Sequence, residues 1–331
     1  MLTVLVTGAT GGIGLQTAKV LARMGYSVII HGRDARKGAA AVDAVRAAAA
    51  GVAATTSAAA GTGAVGSAGA VNPFRGATSA GAAAATATGG ASGAASVAGA
   101  SIRFVQADFA SLRQVRDLAA EVVASVPRLD VLINNAGCGN ISRSVTADGY
   151  ETTFAVNHLA PFLLTNLLLD TLKKSPAARI VNVASRAHRN QELDFADLMS
   201  ERDYRVMRTY GRSKLANILF TQSLAKRLAG SHVTANCLHP GLIATGIGQT
   251  HPAARFAWKL IVLLRGGISV EEGAKTSVYL ATSPDVEGLS SGYYAKCHPA
   301  QLQTRAEAVS DAVGGRLWKI SEELVGLPCS S

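Results

Sequence analysis

Cysteine is scarce in this chain, with four among 331 residues, at 138, 237, 297 and 329, and no CxxC pair. That spacing excludes a disulfide-stapled secreted scaffold and a zinc ribbon, and points to free thiols in a reducing compartment. Aromatic residues make up only 5%, and Lys and Arg are scattered, so the formal charge of +10 does not build the basic, aromatic surface of a nucleic-acid reader. It describes instead a basic protein that favours anionic ligands. The most membrane-like stretch, Phe256 to Leu264, is short and carries Lys259, so no transmembrane segment is expected and only peripheral membrane contact remains open. No basic n-region or apolar h-region precedes Leu2–Val6, so a signal peptide is not expected and a soluble intracellular location, cytoplasm or organelle, is. His188, His239 and His251 are too dispersed for a metal site.

Residues 47–100 are almost all Ala, Gly, Ser, Thr and Val, with Arg75 as their only charge. The first few alanines can extend a helix that begins near Ala35. Beyond Gly51 the small side chains offer too little apolar area to offset chain entropy, so 51–99 reads as a flexible insertion. Without it the chain has the size of one α/β domain, and 1–331 reads as a single domain. The remainder alternates Val/Ile/Leu-rich runs (2–6, 27–31, 102–106, 130–134, 178–184, 232–238, 291–295) with helical patterns (13–24, 35–49, 111–124, 148–173, 204–229, 270–282). Strands without polar alternation are covered on both faces, and a β-α-β-α order predicts a doubly wound parallel sheet with ligands at the carboxyl ends of its strands.

The first strand runs into Thr7-Gly8-Ala9-Thr10-Gly11-Gly12-Ile13-Gly14 and then a helix. Glycines at 8, 12 and 14 let the backbone turn sharply and approach a pyrophosphate, which a helix N-terminus attracts. The second strand ends His31-Gly32-Arg33-Asp34. Arg33, backed by Arg36 and Lys37, suits a ribose 2′-phosphate and hence NADP(H), against the alternative of a solvated loop arginine. Asp108, after the third strand, is placed to meet an adenine or to cap the next helix. Asn134-Asn135-Ala136-Gly137 closes the fourth strand as a turn or as a wall against a cofactor ribose.

Tyr210 and Lys214 stand four apart in Tyr-Gly-Arg-Ser-Lys, on one face of a predicted helix. An ammonium near a phenol lowers its pKa toward working pH, and such a tyrosine can exchange a proton with a carbonyl or alcohol while hydride moves. Ser185 ends a strand, where its hydroxyl can hold a substrate oxygen or simply serve a turn. Asn157 lies mid-helix, an unfavourable position for asparagine.

The segments TGATGGIG, NNAG, VNH, the strand-end Ser185, YGRSK and His239-Pro240-Gly241 occur in that order, and the chain resembles the short-chain dehydrogenase/reductase superfamily. The resemblance implies a Rossmann fold and an Asn157–Ser185–Tyr210–Lys214 tetrad. In it Tyr210 is acid/base, Ser185 orients the carbonyl, Lys214 also binds the nicotinamide ribose, and Asn157 supports a water relay. It further implies cofactor contacts from Thr7, Gly8, Gly12, Ile13, Gly14, Asn134, Ala136, Gly137, Pro240, Gly241 and Thr245. Ser213–Phe220, Phe162–Leu169 and Arg316-Leu317-Trp318 look like the retinol-dehydrogenase-like branch, whose plant members include translocon-associated dehydrogenases. That branch tends to prefer NADP(H). The sequence departs from it in carrying residues 47–100 and in starting directly on a strand, without an N-terminal anchor. Phe256, Trp258, Leu260, Ile261 and Leu263 follow the cofactor loop and suggest an apolar substrate. The expectation is an NADP(H)-dependent carbonyl/alcohol oxidoreductase; the rival is an NADP(H)-binding sensor or scaffold with little turnover.

Overall fold

The structure, a computed structural model, describes residues 1–61, 100–242 and 266–328. Thr245, His251, the apolar residues between Phe256 and Leu263, Cys329 and residues 62–99 of the expected insertion lie outside the described residues. One eight-stranded sheet organises the chain, in the order β3-β2-β1-β4-β5-β6-β7-β8. The strands are β1 (Thr3–Val6), β2 (Ser27–Gly32), β3 (Ile102–Gln106), β4 (Val131–Asn134), β5 (Ala178–Val183), β6 (Val233–Leu238), β7 (Tyr293–Ala295) and β8 (His298–Pro299). All pairings are parallel except β7 with β8. The order reverses between β1 and β4, which opens a crevice at the carboxyl ends of these strands.

The helices are α1 (Gly12–Arg23), α2 (Ala35–Gly61), α3 (Leu112–Ser125), α4 (Thr152–Phe154), α5 (Ala160–Lys173), α6 (Val206–Arg227), α7 (Val270–Thr282) and α8 (Asp311–Val325). The two-residue side-chain period of the strands feeds two cores. Leu5 and Leu132 face α3, α5, α6 and α8, among Phe162, Leu163, Phe220 and Trp318. Val4, Val6, Val131 and Ile133 face α1, α2 and α7, among Leu21, Val45 and Leu280. Burying each such side chain is worth about 1.5–3 kcal/mol. α3 shows the pattern at its plainest, with Val115, Leu118, Ala119 and Val122 buried at helical spacing and Ser111 accepting from the Gln114 amide as its cap.

Four features differ from the sequence pattern. The α2 backbone continues to Gly61, ten residues beyond Gly51, because an alanine-rich run keeps the highest helix propensity. The pattern at 148–173 is not one helix: a π-turn at Ala155–Leu159 separates α4 from α5. Pro161 cannot donate to the carbonyl four residues back, that of Asn157, and its ring would clash there, so the helix widens. α8 carries Gly314 and Gly315, which mask its helical pattern. It forms by docking, with Gly314 2.8 Å (measured to an added Cβ) from Ser223 Oγ and Trp318 stacked under the Arg227 guanidinium at 4.0 Å. β8 closes a hairpin whose turn residues Lys296 and Cys297 both have positive φ. Among the described residues one helical run, Thr152–Lys173, is long and apolar enough to cross a membrane, and 72% of an apolar 18-residue window in it is buried in the fold, as in a core helix.

Candidate active site

The glycine loop is shaped by lack of room. Thr7 Oγ1 accepts from the amides of Asn135 (2.9 Å) and Ala136 (3.0 Å), and Asn135 Nδ2 donates to the carbonyls of Thr7 (2.8 Å) and Gly8 (3.2 Å). Gly8 has φ +63°, and a Cβ on it would lie 2.8 Å from Ala136 Cα. A Cβ on Gly14 would lie 2.5 Å from the Gly8 carbonyl oxygen. Only glycine fits at both. His31 locks the same loop: its Nδ1 accepts from the Gly8 amide at 3.3 Å, so Nε2 carries the proton to the Ala107 carbonyl at 3.0 Å. Burial pushes this imidazole down to about 4, which keeps it neutral.

The solvent side of the loop is open. α1 starts after Gly11 with no side-chain cap, and a Cβ on Gly11 would meet nothing within 4 Å. Uncapped amides at the positive end of a helix make an anion seat, so these residues fit the diphosphate of a dinucleotide. Ile13 packs beneath with Ala274 and Ile268, and Ile268 fills the space against Gly241, whose φ is +98°. Gly241 is thereby held beside the start of α1.

At the far end of the crevice Arg33 is exposed, and its carbonyl accepts from Gln106 Nε2 at 3.1 Å. Asp34 does not compete for a ribose. Its Oδ1 accepts from the Lys37 amide at 3.0 Å, capping α2, and that bond together with the nearby Lys37 and Arg36 holds its carboxyl below the usual range. Asp108 is no helix cap, since Ser111 has that role; its Oδ1 accepts from the Ala110 amide at 3.0 Å.

On the other side of β4, Asn157 sits fully buried in the π-turn. Its Oδ1 accepts from the Cys138 amide at 2.8 Å, and its Nδ2 donates to the Cys138 carbonyl and to Ser213 Oγ, both at 2.9 Å. A Cβ on Gly137 would lie 3.2 Å from both Asn157 Oδ1 and Lys214 Nζ. Lys214, 3% exposed, donates to the Val183 carbonyl at 3.0 Å and stands 5.7 Å from the centroid of the Tyr210 ring. The Ser185 hydroxyl lies beside the Tyr210 phenol and favours its ionised form. Asn157, Ser185, Tyr210 and Lys214 therefore converge from a π-turn, a strand end and one helix face. The expected lowering of the phenol pKa is not what this arrangement produces. Burial pushes Tyr210 up to about 12, outweighing the neighbouring Ser185 hydroxyl, and pushes Lys214 down to about 8.

Asn134 ends β4, with its side chain turned into the core. Its Nδ2 donates to Thr165 Oγ1 (2.9 Å) and Asn182 Oδ1 (2.8 Å) in the buried core. The neighbouring Asn135 touches the glycine loop instead, which the alternation of side chains along a strand could have indicated. Sequence reasoning also passed over His31, and over His188, whose Nδ1 is 2.6 Å from the Ser185 carbonyl. No periodic or motif signal marks either histidine.

The short chain dehydrogenase family model matches residues 2–67 and 56–255. Mouse retinol dehydrogenase 14 is 40% identical over 327 residues, covering 98% of this chain and 86% of the relative. Human retinol dehydrogenase 13 is 35% identical over 337 residues, covering 99% and 86%. Among solved structures, an uncharacterised Mycobacterium paratuberculosis protein superposes with a TM-score of 0.67 at 27% identity, covering 100% of this chain and 96% of that one. A Pseudomonas aeruginosa RhlG/NADP active-site complex shares the fold with a TM-score of 0.59 at 22% identity, covering 88% and 93%. The glycine loop, the converging side chains and these likenesses lead to one conclusion: the chain belongs to the short-chain dehydrogenases, in their retinol-dehydrogenase-like branch.

Proposed function

We propose that this chain is an NADP(H)-dependent oxidoreductase that interconverts an apolar aldehyde, ketone or retinoid-like carbonyl and its alcohol. We further propose that 1–331 acts as a single domain. As a short-chain dehydrogenase it performs hydride chemistry on alcohol or carbonyl groups with a nicotinamide cofactor. The observation that carries the rest is the Lys214 ammonium beside the Tyr210 ring, with the Ser185 hydroxyl close enough to favour the phenolate. When bound, NADP(H) supplies or accepts the hydride. Ser185 holds the substrate oxygen, and Tyr210 gives that oxygen its proton in reduction or removes it in oxidation. Lys214 supports the developing phenolate by charge, and Asn157 keeps the Gly137–Cys138 backbone in place through its two bonds to Cys138.

The choice of NADP(H) is supported by Arg33, exposed at the end of β2, together with the engagement of Asp34 in capping α2. Thr7, Gly8, Gly12, Ile13, Gly14, Ala136, Gly137, Pro240 and Gly241 are proposed to line the cofactor, with Asp108 near its adenine end. Cys138, Cys237 and Cys297 are free thiols, in keeping with a reducing, intracellular setting. The test is NADPH oxidation over retinal, medium-chain aldehydes, steroids and quinones, repeated with NADH. Turnover of at least one carbonyl with preference for NADPH is expected. Tight NADPH binding with no turnover of any would instead favour a sensor or scaffold.

A further inference from the structure

A cleft of about 480 Å³ is bordered by the turn that follows Ser185 and by the first turns of α6, and is lined by Ala187, Asn190, Gln191, Arg205, Met207 and Arg208. Ser185 Oγ accepts from the Ala187 amide at 3.2 Å, so this wall starts at the catalytic serine. Met207 and Arg208 precede Tyr210 by one turn or less on the other wall. The walls meet at Gly211, where a Cβ would lie 2.4 Å from the Ala187 carbonyl oxygen.

The cleft has unspent positive charge. Arg205 and Arg208 share one carboxylate: Arg205 Nε donates to Asp203 Oδ1 at 3.2 Å, while Arg208 Nη2 holds Asp203 Oδ2 and, at 2.7 Å, its carbonyl. The Arg208 Nε donor is buried and without a partner. The next carboxylates are already engaged, Asp194 with Arg212 and Glu192 with Arg305. Arg186 and Arg189, on the same turn as Ala187, make no ion pair among the described residues, and with Lys296 they bear electrostatically on His239.

We propose that this cleft binds an anionic group, a carboxylate or phosphate, carried by the carbonyl substrate itself, so that the substrate is an apolar chain with a charged end. The inference rests on the oxidoreductase reading above and narrows its substrate class. The Arg205 and Arg208 guanidiniums line the cleft and share the single Asp203 carboxylate, which leaves net positive charge for such an anion.

The test compares the ω-oxo derivative of dodecanoic acid with its methyl ester, using the full chain and NADPH. The acid is expected to have kcat/KM at least about tenfold above the ester, falling with added salt while the ester's stays level. Arg208→Gln, and in part the more exposed Arg205→Gln, are expected to bring the acid/ester ratio toward one. A ratio read within one protein does not depend on how much of a variant folds. Inorganic phosphate is expected to compete with the acid alone. Independently of turnover, calorimetry of dodecanoate is expected to show binding weakened about tenfold by Arg208→Gln. Equal turnover of acid and ester, or an acid preference that survives both substitutions, would overturn the cleft assignment and leave the oxidoreductase reading intact. Arg208-dependent dodecanoate binding without turnover of either compound would overturn the proposal that the anion belongs to the carbonyl substrate, while the wider carbonyl panel decides the oxidoreductase reading.

Discussion

The two sides of the crevice solve their tasks by different means. Around β1 and α1 the chemistry is done by backbone: amides at a helix start, with glycines at 8 and 14 because a Cβ would meet atoms 2.5–2.8 Å away. Around β5 and α6 it is done by side chains, and the relevant variable is burial, which drives Tyr210 up and Lys214 down. A backbone site is specified by the absence of bulk over a short stretch of chain. A side-chain site is assembled from residues 157, 185, 210 and 214 and depends on everything that packs beneath them.

Substitutions on each side separate these cases. Tyr210→Phe removes the proton donor and is expected to lower kcat by about 10²–10⁴-fold while NADPH binding, followed by fluorescence, stays near that of the parent. Retained turnover would show that the side-chain half is not the chemical half. Gly14→Ala forces a methyl onto the Gly8 carbonyl and Asn135, an overpacking expected to cost about 1–3 kcal/mol, read as a lower Tm together with weakened NADPH binding.

Each side also rests on a buried neutral histidine, His31 beneath the glycine loop and His158 beneath the π-turn, where Nε2 meets Ser321 Oγ at 2.8 Å. Burial sets them to about 4 and about 3, below the unfolded value near 6.5. Above that value both states are neutral. As pH falls below it the unfolded chain takes up protons that the folded chain refuses until about 4 and 3, so stability is lost on acidification. Each histidine is expected to cost about 2 kcal/mol by pH 5. Thermal unfolding from pH 8 to 5 should therefore show a falling Tm, with a shallower slope in His158→Gln. An unchanged slope would remove His158 as a source of the acid sensitivity. The smallest expected effect is at the rim: Arg33→Ala is expected to weaken NADPH binding by about tenfold and NADH binding hardly at all, measured as the ratio of their Kd values.

Much of the architecture was legible beforehand. Seven of the eight strands fall within two residues of the apolar runs, because strands covered on both faces leave no other place for Val, Ile and Leu. α8 and β8 were not, since two glycines hide the helical pattern of one and the other is a hairpin whose turn, Lys296-Cys297, carries no usual turn residue. In the site, the Gly8–Gly14 loop and the Tyr210–Lys214 spacing were readable because both are local. Strand phase, which the sequence did not settle, turns the Asn134 amide into the core and the Asn135 amide onto the glycine loop. The direction of the Tyr210 shift was misjudged because helical spacing reports nearness to Lys214 but not desolvation.

By itself the sequence determined the parallel sheet, the glycine turn and the residue types available for proton transfer, since all three follow from local period, backbone freedom and side-chain chemistry. Only the tertiary structure decided that Asn157 stands in a π-turn bonded to Cys138, that Asp34 is spent on a helix cap, and that Arg205 and Arg208 share one carboxylate, Asp203. These depend on which groups packing removes from water and which partners it brings within hydrogen-bond reach, and distance along the chain carries no record of either.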